Sequence, residues 1–254
     1  MPRPKTHSRY TGLIVVDKPV GLSSMDVVRR VRKAAGFAKT GHAGTLDPLA
    51  TGVVLCCLGK ATRLIDRLMD TTKVYHAAVD LSAFTATDDR EGERSEVDVP
   101  EPPPRRHIER TLRLFLGDID QQPPAYSAIH VGGRRAYELA RAGEEVKLAT
   151  RRVHIEAIEL RRYDWPELEL TVNCGKGVYI RSLARELGQR LGTGGHLLSL
   201  RRTAVGPYTL QHAVPIDRFE HPIGPSDLLT MLGQPRTPHA TEGDPQPGKP
   251  GDFT

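Results

Sequence analysis

Short apolar runs separated by polar turns predict a series of β-strands along the chain. Residues 13–16 form one such run before a turn, and residues 53–58 form a continuous apolar run of the length expected for a buried strand. The same pattern predicts strands at residues 73–79, 153–160, 167–174 and 197–205. We expect the strands at 153–160 and 167–174 to pair with each other.

Apolar residues at helical spacing predict helices between the strands. The first helix carries apolar residues from Val27 to Ala35, can be capped by Ser23 or Ser24, and should end at Gly36. Further helices are predicted at residues 60–69, at 108–115 before Gly117, and at 180–191 before Gly192. Because strands and helices do not alternate regularly, the pattern favours an α+β fold over a doubly wound one.

Polar and proline-rich stretches predict the loops and tails. Residues 87–106 are acidic and rich in proline, which predicts an exposed loop inside the main domain. Residues 1–10 are basic and lack the apolar segment of a secretion signal. The predicted organisation is therefore a basic tail (1–10), a domain (11–210), a small helical extension (211–233) and a disordered tail (234–254).

Composition narrows the class of protein. The 254 residues include 36 Lys and Arg against 31 Asp and Glu, a formal charge of +5 that permits a polyanionic partner without requiring one. Cys56, Cys57 and Cys174 lack the spacing of zinc ligands and predict buried, reduced thiols. The longest apolar run is too short to cross a bilayer, so we expect a soluble, cytoplasmic protein.

Two basic segments are candidate contacts for nucleic acid. The polar face of the first helix carries Arg29, Arg30, Arg32 and Lys33, which taken alone indicate a solvated face. The second segment mixes cations with rings, and its members are Arg134, Arg135, Arg141, Lys147, Tyr126 and Tyr137. Cations that meet phosphate beside rings that stack on bases suit single-stranded or loop RNA.

One loop combines the features of a functional site. Residues 41–52 read GHAGTLDPLATG, in which Asp47 is the sole carboxylate. The glycines allow sharp turns and close approach of a ligand, and Pro48 stiffens the backbone beside Asp47. Taken alone, the Asp-Pro pair is equally consistent with a turn aspartate that caps its own backbone.

The whole loop resembles the catalytic loop of the TruB family of tRNA pseudouridine synthases. Further segments resemble motifs of that family in the same order: DKPVG (17–21), KVY (73–75), PPAYSAIHVGGRRAYELAR (123–141), CGKGVYIRSL (174–183) and LRRT (200–203). The resemblance extends from Leu13 to about Tyr208. It implies a pseudouridine synthase fold, with a mixed central β-sheet flanked by helices and an RNA-contacting insertion at about residues 122–152.

The resemblance also implies the activity. Members of the family flip a uridine out of the TΨC loop of tRNA and isomerise it to pseudouridine at position 55. This reaction requires no redox change, phosphate energy or metal, so we expect no cofactor. We expect the partner to be the T-arm of tRNA, no membrane association, and a monomer.

The resemblance assigns catalytic roles to three residues. The family's essential aspartate corresponds to Asp47, and attack on C1′, attack on C6 and removal of a ribose proton all remain open as its first step. Arg181 is expected to pair with Asp47 and keep it ionised. Tyr75 is expected to stack on the uracil and accept the C5 proton, although a tyrosine in a strand is more often a packing residue.

Four further residues are expected to bind the substrate. His42 resembles the family histidine that fills the space left by the flipped nucleotide, and Tyr179 is expected to support the pocket near Asp47. Leu200 should pack against the base, with an ordinary core position as the alternative. Lys18 should steady the loop or contact a phosphate, with a surface lysine as the alternative.

Three departures from the family pattern are visible. His130 stands where relatives commonly have lysine, and Val178 replaces a threonine, so a phosphate contact and a hydroxyl contact are in doubt. Many relatives also carry a carboxy-terminal PUA domain, and residues 211–233 are too few to supply one. We therefore expect weaker contacts with the acceptor side of tRNA.

Other functions fit the sequence less well. A non-catalytic tRNA-binding or folding module would explain the basic and aromatic residues but not the combination of Asp47, Tyr75 and Arg181. A zinc deaminase needs a P-C-x-x-C segment that is missing, and the P-loop pattern of a nucleotide-driven enzyme is incomplete around Gly59 and Lys60. The related guide-RNA synthase of ribonucleoprotein particles is longer and carries the PUA domain.

Overall fold

A large sheet with helices packed against it forms the centre of the protein. The computed structural model describes residues 10–127, 129–144, 146 and 148–229. The helices are α1 (Ser24–Ala34), α2 (Ile65–Met69), α3 (Arg105–Leu112), α4 (Ala136–Arg141) and α5 (Ile180–Leu191). The strands are β1 (Gly12–Lys18), β2 (Thr40–His42), β3 (Thr51–Leu58), β4 (Lys73–Asp80), β5 (Ala83–Thr85), β6 (Arg94–Glu96), β7 (Gly117–Gln121), β8 (His130–Val131), β9 (Arg134–Arg135), β10 (Arg151–Asp164), β11 (Glu167–Cys174), β12 (His196–Val205), β13 (Tyr208–Thr209) and β14 (Ala213–Pro215).

Parallel and antiparallel pairs both occur in the main sheet. Within the described residues its strand order is β14-β1-β3-β12-β4-β11-β10-β7, and β2 and β13 add to β3 and β12. The pairs β14–β1 and β3–β12 are parallel, whereas β1–β3, β12–β4, β4–β11 and β11–β10 are antiparallel. This mixed sheet with flanking helices confirms the predicted α+β class.

The continuous apolar run of β3 arises because both faces of the sheet are covered at this strand. Val54 and Cys56 face a large core, to which α1, α3 and α5 contribute apolar residues. Val53 and Leu55 face a second, smaller core on the other side of the strand. A strand buried on both faces needs apolar residues at every position, which explains why β3 does not alternate.

Two predicted helix ends are present. Ser23, one of the two predicted candidates, caps α1 through a reciprocal capping box with Asp26. Gly192 ends α5 in the left-handed conformation, at φ 72°. The helix predicted at residues 60–69 is instead a 3₁₀ segment, Gly59–Leu64, followed by the short α2.

Three local predictions were wrong. Residues 87–106 are not simply an exposed loop, because Asp88 and Asp89 are buried and β6 pairs with β5. Gly117 was predicted only as the end of a helix, but it also begins β7, a strand that the sequence pattern did not predict. The extension after residue 210 is not purely helical, because β14 joins the sheet beside β1.

Some sequence predictions fall outside the described residues. The basic tail before Tyr10, Lys147 of the basic segment, and the tail at residues 234–254 belong to this group. Among the described residues, no helix is long and apolar enough to cross a membrane.

Candidate active site

The loop that carries Asp47 connects β2 to β3 and is built from tight turns. The amide of Ala50 donates to the carbonyl of Asp47 at 3.1 Å, which closes a turn around Pro48. Gly52 has φ 102°, and a Cβ atom there would lie 2.2 Å from the carbonyl oxygen of Arg202. Only glycine fits this approach of the loop to β12. The side chain of Asp47 remains 31% exposed, so the carboxylate is open to a ligand.

Arg181 forms the expected ion pair with Asp47. Its Nη2 lies 2.9 Å from Asp47 Oδ2, and its side chain is only 6% exposed. The helix α5 places Arg181 in its first turn. Nη1 donates to the carbonyl of Thr87 at 3.1 Å and Nη2 to that of Tyr126 at 2.9 Å. A guanidinium held by this fork of acceptors is fixed in position before any ligand binds.

A second carboxylate stands behind Arg181. Asp89 Oδ2 lies 3.6 Å from Arg181 Nη1, and the Asp89 side chain is 4% exposed. Its other oxygen accepts hydrogen bonds from the Thr87 hydroxyl at 2.6 Å and from the Glu91 amide at 3.0 Å. Arg181 is therefore shared between a buried aspartate and the open Asp47.

Lys18 is fully buried and ties the Asp47 loop to β1. Its Nζ donates to the carbonyl of Pro19 at 2.9 Å and to that of Pro48 at 3.3 Å. Burial lowers the pKa of Lys18 to about 8, and the charge of Asp47 partly offsets this effect. The alternative of a surface lysine is wrong. Lys18 holds the residue next to Asp47, as the loop-steadying prediction required.

Tyr75 and Leu200 lie on the neighbouring strands β4 and β12. Both side chains are buried and belong to the large core, so each also has the packing role given as its alternative. Burial raises the pKa of Tyr75, and the positive charge of Arg202 acts in the opposite direction. The carboxylate of Asp47 raises the pKa of Tyr75 further, because it is near enough for its charge to act on the phenol.

His42 is the last residue of β2 and pairs with Cys56 of β3. Burial lowers the pKa of His42, and the charge of Arg202 lowers it further. Both effects favour the neutral imidazole at physiological pH. His42 therefore stands at the entrance of the loop as an uncharged ring.

Tyr179 immediately precedes α5 and is clamped from two sides. The side chain of Gln121 accepts from the Tyr179 amide at 2.8 Å and donates to its carbonyl at 3.1 Å. The guanidinium of Arg151 lies 4.5 Å from the centre of the Tyr179 ring. The clamp fixes the start of the helix that carries Arg181.

Sequence reasoning missed three residues of this region: Asp89, Gln121 and Arg202. Asp89 was hidden within an acidic stretch that predicts solvent exposure. Gln121 ends a strand that was not predicted. Arg202 belongs to the LRRT segment, but two adjacent arginines give no signal of which one is buried.

The predicted RNA-contacting insertion forms a small hairpin, β8–β9, followed by α4. Arg134 and Arg135 are exposed there, and the guanidinium of Arg141 lies 5.6 Å from the ring centre of Tyr137. The basic residues of α1 are also exposed, and Arg29 pairs with Asp26. Both basic surfaces are thus open to solvent.

The described residues contain no cluster of His, Cys, Asp or Glu that could hold a metal ion. The three cysteines are buried and free, and burial raises the pKa of Cys57 and of Cys174 to about 12. These thiols are packing residues rather than nucleophiles.

Comparison with known proteins gives consistent matches. The model of the TruB family pseudouridylate synthase N-terminal domain matches residues 32–180, and that of the tRNA pseudouridylate synthase B C-terminal domain matches residues 181–224. The tRNA pseudouridine synthase B of Thermobifida fusca (strain YX) is 48% identical over 82% of this chain and 74% of its own length. That of Mycobacterium sp. (strain KMS) is 44% identical over 91% of this chain and 81% of its own length.

Two solved structures are similar in fold. One is a Cbf5-Nop10-Gar1 complex, with a TM-score of 0.64 and 30% identity over 85% of this chain. Another is an H/ACA RNP bound to a substrate RNA containing 2′-deoxyuridine, with a TM-score of 0.61 and 28% identity over 85% of this chain. This chain spans 56% and 54% of the respective solved chains, a little over half of each.

Proposed function

This chain belongs to the TruB family of pseudouridylate synthases, and from that premise we propose that it uses Asp47 to isomerise the uridine at position 55, in the T-arm of tRNA. Conversion of uridine to pseudouridine in tRNA is the activity of the family, and the chain is an isomerase of this type. The position in tRNA, the role of each residue, action as a monomer and a cytoplasmic location are parts of the proposal.

The reaction rearranges one nucleotide without changing its composition. The bond between C1′ and N1 breaks, the uracil turns, and a bond forms between C1′ and C5. The proton on C5 is lost and N1 is protonated, so atoms and electrons balance. A base buried in folded tRNA must first leave the stack, which requires a pocket and a surface that grips the backbone.

The observation that carries the proposal is the ion pair between Asp47 and Arg181. Arg181 is buried and held by two backbone carbonyls, while Asp47 stays partly open at the tip of a stiff loop. This arrangement presents a carboxylate to a ligand in a fixed direction and places a cation behind it. The cation stabilises the negative charge of Asp47 whenever that charge is regenerated during turnover.

In this proposal the phenol of Tyr75 accepts the proton from C5. Because burial raises its pKa, the phenol is protonated at neutral pH, so it must give up its hydroxyl proton, which N1 requires, as it takes the proton from C5. The adjacent positive charge of Arg202 eases loss of the hydroxyl proton. Leu200, on the neighbouring strand, gives the flipped uracil an apolar surface.

The remaining predicted residues bind or shape the substrate site. Lys18 holds the turn at Pro48, and Tyr179 is held where α5 begins. His42 stays neutral and uses its ring to fill space rather than to pair with phosphate. The exposed cations of α1 and of the insertion contact tRNA phosphates, which position the RNA without reading its sequence.

Mapping of the product tests this function. An unmodified tRNA transcript is incubated with the protein, and pseudouridine is located by carbodiimide-dependent stops of reverse transcription. We expect a single strong stop at position 55 with the wild type and none with Asp47→Asn, although that variant still binds tRNA. Stops at other uridines, or an active Asp47→Asn variant, would reject the assignment. Binding without any stop would favour the non-catalytic tRNA-binding module.

A further inference from the structure

Arg202 is a large, fully buried side chain that joins both ends of the Asp47 loop. Its Nη2 and Nη1 donate to the carbonyls of Gly44 and Thr45, each at 3.1 Å, just before the loop reaches Asp47. Its Nε donates to the carbonyl of Val53 at 2.8 Å, just after the loop. One rigid guanidinium therefore sets the separation of the two loop ends.

The backbone of Arg202 is fitted to the same loop. On β12 it pairs in parallel with Gly52 of β3, where any side chain larger than hydrogen would collide with the Arg202 carbonyl. Side chain and backbone of Arg202 thus contact three residues of the loop, Gly44, Thr45 and Gly52, and also Val53 just after it. The neighbouring Arg201 does not do this, since its side chain contacts the loop at Thr51, near the loop's end, pairs with Asp17 and is partly exposed.

The charge of Arg202 is unusual for its position. In the described part of the chain no carboxylate forms an ion pair with it, whereas Arg181 has two such partners. Three backbone carbonyls and the side-chain oxygen of Tyr75 accept hydrogen bonds from the guanidinium, with no carboxylate among them, although a buried charge without a counterion is costly. An apolar residue of similar size would fill the space without this cost, so the charge points to a role beyond packing.

Arg202 also faces the second reactive group of the site. On its other side, β12 pairs with β4, and there Arg202 stands directly opposite Tyr75. The same cation that holds the carbonyls before Asp47 therefore acts on the phenol of Tyr75. Its effect on the pKa of Tyr75 opposes that of burial.

We propose that Arg202 is a positioning residue that aligns the Asp47 loop with Tyr75 through its buried guanidinium. This inference rests on the proposed function for its catalytic consequence. Arg202 does not touch the substrate in this arrangement. It acts through Asp47 and Tyr75, so its loss impairs turnover while leaving the RNA-binding surfaces intact.

The test compares Arg202→Lys with the matched control Arg201→Lys. Lysine keeps the charge but lacks the planar fork, so it cannot hold three divergent carbonyls at once. We expect the single-turnover rate of Arg202→Lys to fall by about 10²-fold, the loss typical of a small misplacement, with tRNA affinity within about twofold. Arg201→Lys should keep both values close to wild type. Arg202→Met should be no more active than Arg202→Lys, if it folds.

Amide hydrogen exchange supplies a readout that does not depend on activity. In Arg202→Lys we expect faster exchange in a peptide covering residues 43–53, and unchanged exchange in a peptide covering residues 157–172 of the far strands. A wild-type rate of turnover in Arg202→Lys would overturn the proposal, and so would unchanged exchange in the loop. Faster exchange throughout the protein would overturn it as well, because it would indicate a general structural role.

Failure of the proposed function would be seen separately. If the wild type forms no pseudouridine, the function is wrong, but loop exchange in Arg202→Lys still decides whether Arg202 holds the loop. If the wild type is active and both Arg202→Lys and Arg201→Lys turn over at the wild-type rate, the function stands and the positioning role is wrong.

Discussion

Replacement of Arg181 by methionine should damage stability and catalysis for two separable reasons. The stability loss comes from Asp89, whose carboxylate is 4% exposed and would lose the cation at 3.6 Å. The catalytic loss comes from Asp47, which would lose the guanidinium at 2.9 Å. A second substitution, Asp89→Asn, removes the buried charge without restoring a partner for Asp47, and so separates the two effects.

The structure sets the expected size of each effect. Removing one member of a buried ion pair costs about 3–5 kcal/mol. Because Thr87 and Glu91 still donate to the other oxygen of Asp89, we expect the lower end, about 3 kcal/mol, for Arg181→Met. In the Asp89→Asn background the same change should cost only about 1 kcal/mol, mainly lost hydrogen bonds to carbonyls. Activity should fall by about 10²-fold or more in both backgrounds.

Denaturant unfolding measures stability, and single-turnover pseudouridine formation measures activity. Both are applied to the wild type, Arg181→Met, Asp89→Asn and the double variant. We expect a coupling free energy of roughly 2 kcal/mol in stability between positions 181 and 89. We expect no recovery of rate when Asp89→Asn is added to Arg181→Met. Recovery of activity in step with stability would refute the reasoning, because Arg181 would then act only by neutralising Asp89.

Three further predictions address other groups of the site. Tyr75→Phe should bind tRNA normally but release tritium from uracil C5 about 10²–10⁴-fold more slowly, and release at the native rate would leave Tyr75 as a stacking surface only. Because burial lowers the pKa of Lys18 to about 8, the unfolded chain binds more protons between about pH 8 and the ordinary lysine pKa of 10.5, and stability should rise with pH across that window. Lys18→Met should flatten this rise in urea unfolding curves, and an unchanged slope would contradict it. Affinity for tRNA should fall steeply with salt, and a flat response would assign binding to stacking rather than to the exposed cations.

The regular part of the fold could be predicted because local patterns determine it. The uninterrupted apolar run of β3 indicated a strand covered on both faces, and the two cores on either side of it agree with that interpretation. The Ser23 cap and the Gly192 end were visible as local signals. The short, polar β7 has no such signal, because its pairing with β10 provides the stabilisation.

The buried polar residues could not be predicted because their partners are distant in sequence. Asp89 lies in an acidic stretch and becomes buried because Arg181 from α5 faces it. Arg201 and Arg202 are identical in type. Only the alternation of side chains along β12 decides that Arg201 is partly exposed and pairs with Asp17 while Arg202 is buried against the loop. The resemblance in motif drew attention to this segment, but contacts in three dimensions were needed to distinguish the two arginines.

Tritium release from tRNA labelled at uracil C5 tests the central claim most directly. The proposed reaction removes the C5 proton from one uridine, so the wild type should release a single tritium per tRNA. Asp47→Asn should release none, and so should the wild type acting on a transcript with cytidine at position 55. Equal release from that cytidine transcript, or release by Asp47→Asn at the native rate, would contradict an Asp47-dependent isomerisation at this position.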